Sequence, residues 1–168
     1  MLSSGEAKNI LIISQNFFPN SEKDYKIKGK IEEYANQGIN VSVIARKGAS
    51  DTAPEIPNTK FYFIEQEKFS GGGEWAYVFH NISFMVKAMR IGSAIKEKFD
   101  MVIATIPSGL TAIAAKIIAG KNEKGFYIDI NENWVESALA SNYIVNGGAI
   151  YKASIMVENW VLKNGKKI

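Results

Sequence analysis

Short apolar runs alternate with longer stretches of helical period along nearly the whole chain, and this alternation constrains the fold more than any single residue does. The runs NILIIS (Asn9–Ser14), INVSVIA (Ile39–Ala45), KFYFIE (Lys60–Glu65), DMVIAT (Asp100–Thr105) and GFYIDI (Gly125–Ile130) have the length and composition of buried strands. Between the first two, Ile27, Ile31, Tyr34 and Ala35 recur at helical spacing, and Gly38 stands where a helix would end. The pattern predicts further helices over His80–Lys98, after Pro107, and over Gly148–Lys163, the last with Ile150, Ala153, Val157, Trp160 and Val161 on one stripe. Strands alternating with helices give an α/β domain: a Rossmann-like parallel sheet with helices on both faces.

At 168 residues the chain is one domain long, residues 1–168. It has no cysteine, which removes disulfides, thiolate metal sites and a Cys nucleophile. The net charge of +3 comes from 20 basic residues interleaved with 17 acidic ones, without the basic stripe of a nucleic-acid binder. The balance still allows weak attraction to an anionic membrane face. No apolar stretch reaches the roughly 18 uninterrupted residues of a membrane span, and MLSSGEAKNI has neither the basic nor the apolar region of a signal peptide. Both features suit the cytoplasm.

In open parallel sheets, ligands sit beyond the carboxyl ends of the strands. The loops rich in functional groups follow the first, fourth and fifth strands: QNFFPNSEKD, PSGL and NENWVES. The first contains no glycine, so the close backbone approach that a dinucleotide pyrophosphate requires is unavailable, and no P-loop pattern occurs. His80 is the only histidine, read as a helix-start residue without a catalytic part. Gly71–Gly73 and the polar Asn20–Asp24 stretch are expected to be the most mobile internal segments.

The stretch DINENWVES (Asp129–Ser137) admits two readings. In one, Glu132 or Asn133 caps a helix, Glu136 favours its first turn through the dipole, and Trp134 is core. In the other, Asp129, Glu132 and Glu136 project into a crevice, where carboxylates bond sugar hydroxyls or take a proton from one.

Taken together, four segments in order resemble the N-terminal, acceptor-side domain of GT-B-fold glycosyltransferases of the group 4 family, of the bacterial capsule and O-antigen type. The Q-x-F-x-P loop of that family is matched by Gln15, Phe17 or Phe18, and Pro19, and its G-H-x-V-x-V by Gly38, Val41 and Val43. DMVIATIPSG is similar to its D-V-V-x-A-x-x-P-P, and FYIDINENWVES to its F-x-x-D-x-R-D-x-W-P-E-S through Phe126, Asp129, Trp134, Glu136 and Ser137, with Glu132 in place of Asp. The family's Gly-Gly after the first loop is replaced by Ser21–Asp24, its Arg by Asn131, and its Pro by Val135. These departures imply either an altered acceptor specificity or weakened activity.

The resemblance implies the N-terminal half of a retaining, nucleotide-sugar-dependent glycosyltransferase of bacterial surface polysaccharide synthesis, needing no metal or other cofactor. The nucleotide-sugar donor would be held mostly by a C-terminal domain that this chain does not include, so the isolated domain is expected to be inactive. The partner on this side would be a sugar or lipid-linked sugar acceptor, at the inner face of the cytoplasmic membrane, and no nucleic acid. Glu132 is the expected catalytic contact to the acceptor hydroxyl. Phe18, Pro19, Asn20, Ser108, Gly109, Trp134 and Glu136 are the expected acceptor-binding residues. The competing reading is a non-catalytic Rossmann-like module that binds a small ligand or a protein.

Overall fold

The computed structural model describes residues 8–15, 25–47, 53–67, 69–106, 109–121, 123, 125–130 and 133–167. Its elements run β1 (Asn9–Ser14), α1 (Tyr25–Asn36), β2 (Asn40–Lys47), β3 (Thr59–Glu65), α2 (Gly73–Ala94), β4 (Met101–Ile106), α3 (Gly109–Lys121), β5 (Gly125–Ile130), α4 (Trp134–Ala140), α5 (Ala149–Asn164) and β6 (Lys166–Lys167). The strands form one six-stranded sheet in the order β3-β2-β1-β4-β5-β6, and every pairing is parallel. The expected α/β fold is therefore the one observed. The chain first builds the sheet outward from β1 to β3, then returns through α2 and builds in the other direction from β4. This reversal makes the gap between β1 and β4 the topological switch point.

The sequence explains why the strands are buried on both faces. Side chains alternate along β1, so Ile10 and Ile12 join one core and Leu11 and Ile13 the other, all of them at most 3% exposed. Among the described residues α1 is the helix that covers the first face, through Ile27, Ile31 and Ala35. The larger core lies on the second face, where Phe84 and Ala88 of α2, Ala112, Ala115 and Ile118 of α3, and Ile150 and Val161 of α5 pack together. Both faces carry helices as expected, but unequally, because the β2–β3 connection supplies no helix among the described residues.

Several boundaries differ from the sequence expectation. Helix α2 begins at Gly73, not His80, because the three glycines adopt positive φ (124°, 116° and 84°) and turn the chain directly into the helix. His80 is therefore in the second turn of α2, not at its start. Glu74 Oε1 accepts a hydrogen bond from the Val145 backbone N–H (2.8 Å), tying the start of α2 to the segment after α4. The helix ends at Ala94, because Phe99 leaves the helical path to enter the core at 1% exposure. The apolar girth of α2 is also less covered than its composition suggests: only Asn81, Phe84, Ala88 and Gly92 are buried, while Trp75 and Phe79 are exposed. The stripe on α5 is rotated: Ile150, Ser154 and Val161 are buried, whereas Ala153 and Trp160 face outward. Beyond the five expected strands, β6 adds a short edge beside β5 through Tyr127–Lys166 and Ile128–Lys167 pairing. Among the described residues no helix is long and apolar enough to cross a membrane.

Gly38 ends α1 as expected, at φ 79°, with its N–H donating to the Ala35 carbonyl (3.0 Å). A Cβ there would meet open space, so only the backbone conformation opposes a side chain. Gly38→Ala should therefore lower unfolding stability by about 1–2 kcal/mol without changing the fold, as read from urea denaturation midpoints.

Candidate functional site

Because all strands are parallel, the ends of β1, β4 and β5 lie side by side on one edge. The first helical turns of α1, α2 and α3 start from that edge. The opposite, amino edge is closed by its own hydrogen bonds. Asp100 Oδ2 accepts from the backbone N–H of Lys8 (2.9 Å) and Asn9 (3.1 Å), and Asn40 Nδ2 donates to Asn9 Oδ1 (3.1 Å). The hollow beside them is lined by Asn58, Thr59, Lys60 and Glu97, whose side chains also have partners.

The carboxyl edge is different. Among the described residues six buried side-chain polar atoms have no hydrogen-bond partner: Ser14 Oγ, Gln15 Oε1, Gln66 Oε1, His80 Nε2, Thr105 Oγ1 and Thr111 Oγ1. All six lie at or just past the carboxyl ends of β1, β3 and β4, or in the first two turns of α2 and α3. A buried polar atom without a partner costs about 1–3 kcal/mol. Concentrating that cost at one edge marks the place where another molecule's hydrogen-bonding groups would be received.

On the α1 face of this edge, Ser14, Thr105 and Asp129 form a row across β1, β4 and β5. Thr105 and Asp129 are direct register partners, and the register Ile13↔Ala104 places Ser14 beside Thr105. Asp129 is 6% exposed and is held by Lys30 of α1, Nζ to Oδ1 2.7 Å. The ion pair therefore joins the helix after β1 to the end of β5. Thr105, Asp129, Lys30 and Tyr34 line a small hollow there. Burial, then the charges of Glu33 and Asp129, raise the pKa of the Tyr34 phenol, which stays protonated.

On the other face, Arg46, one residue before the end of β2, is 4% exposed on the side of Ile44. Gln66 follows β3 and donates from Nε2 to the His80 carbonyl (2.7 Å). The pKa of His80 is lowered from 6.5, first by burial and then by the charges of Arg46 and Lys87, so the ring is neutral near pH 7. Phe69 packs against the His80 ring (centroids 5.5 Å apart) and edge-on to Tyr77 (5.5 Å) and Tyr143 (5.0 Å). Trp134 Nε1 donates to Tyr77 Oη (3.1 Å), so one aromatic chain runs from α4 to the end of β3.

Of the residues expected at a site, Phe18, Pro19, Asn20, Ser108 and Glu132 lie outside the described residues. Gly109 is the first residue of α3 and is buried; a Cβ on it would come within 2.7 Å of Trp134 and 2.8 Å of Val157, so the glycine permits the indole to pack. Trp134 is 5% exposed but borders two hollows, one with Gly109, Asn133 and Glu158, the other a cleft of about 340 Å³ with Trp75, Leu110 and Ala153. Glu136 is exposed in the first turn of α4. Asn133 stands at the N-cap of α4 but makes no side-chain cap bond; instead Glu158 of α5 accepts from the Val135 N–H (3.4 Å). Among the described residues no group of three His, Asp or Glu is placed to hold a metal ion.

Sequence reasoning did not single out Ser14, Gln66, Thr105 or Thr111. Each is a polar residue at a strand end or in a first helical turn, and that position was the available signal.

No family model and no curated protein sequence matches the chain. Among solved structures it is similar to the sucrose-phosphate synthase of Thermosynechococcus elongatus, with a TM-score of 0.67 at 12% identity over 94% of this chain and 41% of that one. An alignment with the apo form of the lipopolysaccharide outer core galactosyltransferase WaaB covers 94% of this chain and 44% of that one, at 14% identity and a TM-score of 0.47. The chain thus spans less than half the length of either. At such identity the likeness to the synthase is one of fold, and it is the fold that the resemblance to GT-B glycosyltransferases implies.

The Lys30–Asp129 pair yields a direct test. Lys30→Met strands a carboxylate that is only 8% exposed, and should cost about 1–3 kcal/mol of stability. The double variant with Asp129→Asn should recover part of that loss, as a double-mutant cycle by urea unfolding would show.

Proposed function

We propose that this chain is the acceptor-binding half of a retaining glycosyltransferase that uses a nucleotide-sugar donor in bacterial surface polysaccharide synthesis. The observation that carries the reading is the coincidence of two features on one fold. The chain has the architecture of less than half of a sucrose-phosphate synthase, and its unpartnered buried polar groups gather along the carboxyl edge of the sheet.

In this reading a second domain holds the donor and its diphosphate leaving group, while the carboxyl edge described here orients an acceptor hydroxyl. Holding the two reactants in one cleft converts a bimolecular encounter into a near-unimolecular step and excludes water that would otherwise compete as acceptor. Glu132, two residues beyond β5 in the sequence, takes the hydrogen bond of the acceptor hydroxyl. Phe18, Pro19, Asn20, Ser108, Gly109, Trp134 and Glu136 form or support the wall around it. The transferred group is a hexose or aminosugar, and the acceptor is a sugar or a lipid-linked sugar. The exposed Trp75 and Phe79, 67% and 65% accessible on the first turns of α2, support work at the inner face of the cytoplasmic membrane.

Calorimetric titration of the chain with a panel of nucleotide sugars tests this division of labour. No binding is expected, because the donor groups are assigned to another domain; micromolar affinity here would overturn it. In a two-domain active form, Glu132→Gln should lower turnover roughly 100-fold with donor affinity nearly unchanged. Unaltered turnover would remove Glu132 from the acceptor contact. Binding of a non-carbohydrate ligand at this edge, without any transfer in the two-domain form, would favour a non-catalytic module instead.

A further inference from the structure

Gln66 and His80 form a second polar feature of the carboxyl edge, away from β1, β4 and β5, after which the expected acceptor residues follow in the sequence. They come from different elements, the end of β3 and the second turn of α2, and are locked together by the bond from Gln66 Nε2 to the His80 carbonyl. That bond fixes the orientation of the Gln66 amide, leaving Oε1 as a buried acceptor without a partner. His80 Nε2 is a second buried atom without a partner. Gln15 Oε1, one residue past β1 on a side chain 5% exposed, is a third.

Two amide oxygens without donors and one ring nitrogen without a partner set the chemistry of what would satisfy them. Carboxylates, phosphates and carbonyls only accept hydrogen bonds, so they cannot satisfy the amide oxygens; a molecule with several O–H groups can, and a hydroxyl meets the ring nitrogen in either tautomer. The adjoining surface is the edge of the Phe69–Tyr77–Tyr143 cluster, which offers apolar faces beside these atoms. Hydroxyls on one side and an apolar C–H face on the other describe a sugar ring.

We propose that Gln15, Gln66 and His80 form a carbohydrate subsite on the β1–β3 side of the carboxyl edge, hydrogen-bonded to the hydroxyls of a neutral pyranose packed beside Phe69. The inference rests on the acceptor reading above and names the wall of that site that selects the sugar. Two features of the structure support it. The neutrality of His80, held by burial and by the charges of Arg46 and Lys87, suits an uncharged ligand near pH 7. The bond from Trp134 to Tyr77 makes the aromatic floor continuous with the start of α4, so a ring bound here lies along the same edge as Trp134.

The test is binding of neutral methyl pyranosides to the whole chain, followed by the chemical shifts of side-chain amides and the histidine ring, together with a series of monodeoxy analogues. His80→Phe keeps the ring packing on Phe69 and removes the ring nitrogen; Gln66→Leu removes the amide. Each should weaken binding roughly tenfold, and His80→Gln should restore most of what His80→Phe loses. At least one deoxy analogue should lose affinity with the unmodified chain and not lose it further with His80→Phe. Because the analogue series needs no substitution, the proposal stays testable if a variant fails to fold. Glycoside binding that survives both substitutions overturns the subsite and leaves the acceptor reading standing. Shifts confined to Trp134 and Gly109 have the same meaning. Absence of any glycoside binding, with ordered water alone satisfying the three atoms, overturns the subsite, and the donor titration described above then decides the fate of the wider reading on its own.

Discussion

The parallel pairing of β1 with both β2 and β4 is the constraint on which the rest of the molecule depends. Each of the three strands is buried at most of its positions, so it must be covered on both faces, and that requires connections long enough to carry helices over the sheet. Parallel strands also send all of their outgoing loops to the same edge. The chemistry of the protein is therefore separated from its stability: the amino edge is closed by Asp100 and Asn40, while the carboxyl edge retains polar atoms that the fold itself does not satisfy.

That edge is held in shape from both sides of the sheet. On one face, the Lys30–Asp129 pair ties α1 to β5 across β1 and β4. On the other, the contacts of Trp134 with Tyr77, and of Tyr77 with Phe69, link α4 to the end of β3 through the start of α2. Gly109 lets the indole of Trp134 lie against α3, and Glu158 of α5 supplies the bond that the N-cap Asn133 does not. Rigid support of this kind is what a site needs when it must hold a hydroxyl in a fixed direction.

Much of this was legible in the sequence, for definite physical reasons. The five strand runs were visible because each is a short stretch dominated by apolar residues, and Gly38 because α1 ends in a left-handed residue. The start of α2 was misplaced because Gly71–Gly73 read as a flexible loop, whereas their positive φ values build a tight entry into the helix. The stripe on α5 was misjudged because periodicity cannot say which side of a helix meets its neighbours; Trp160 and Ala153 are apolar but look outward. Strand order and the joining of Lys30 to Asp129 are tertiary facts with no local signal. Within the candidate site, the loop after β5 drew attention through its carboxylates. Gln66, Thr105 and Thr111 did not, because a single polar residue is conspicuous only once its surroundings are known to be apolar.

The central claim is that the carboxyl edge receives a sugar acceptor. Backbone-amide shift mapping of the whole chain with neutral methyl glycosides measures this most directly. The account predicts saturable shifts at Ser14, Gln15, Gln66, Thr105 and Thr111, with Asn9, Asn40 and Lys60 on the opposite edge unmoved. Shifts centred on those amino-edge residues, with the carboxyl edge silent, would contradict it.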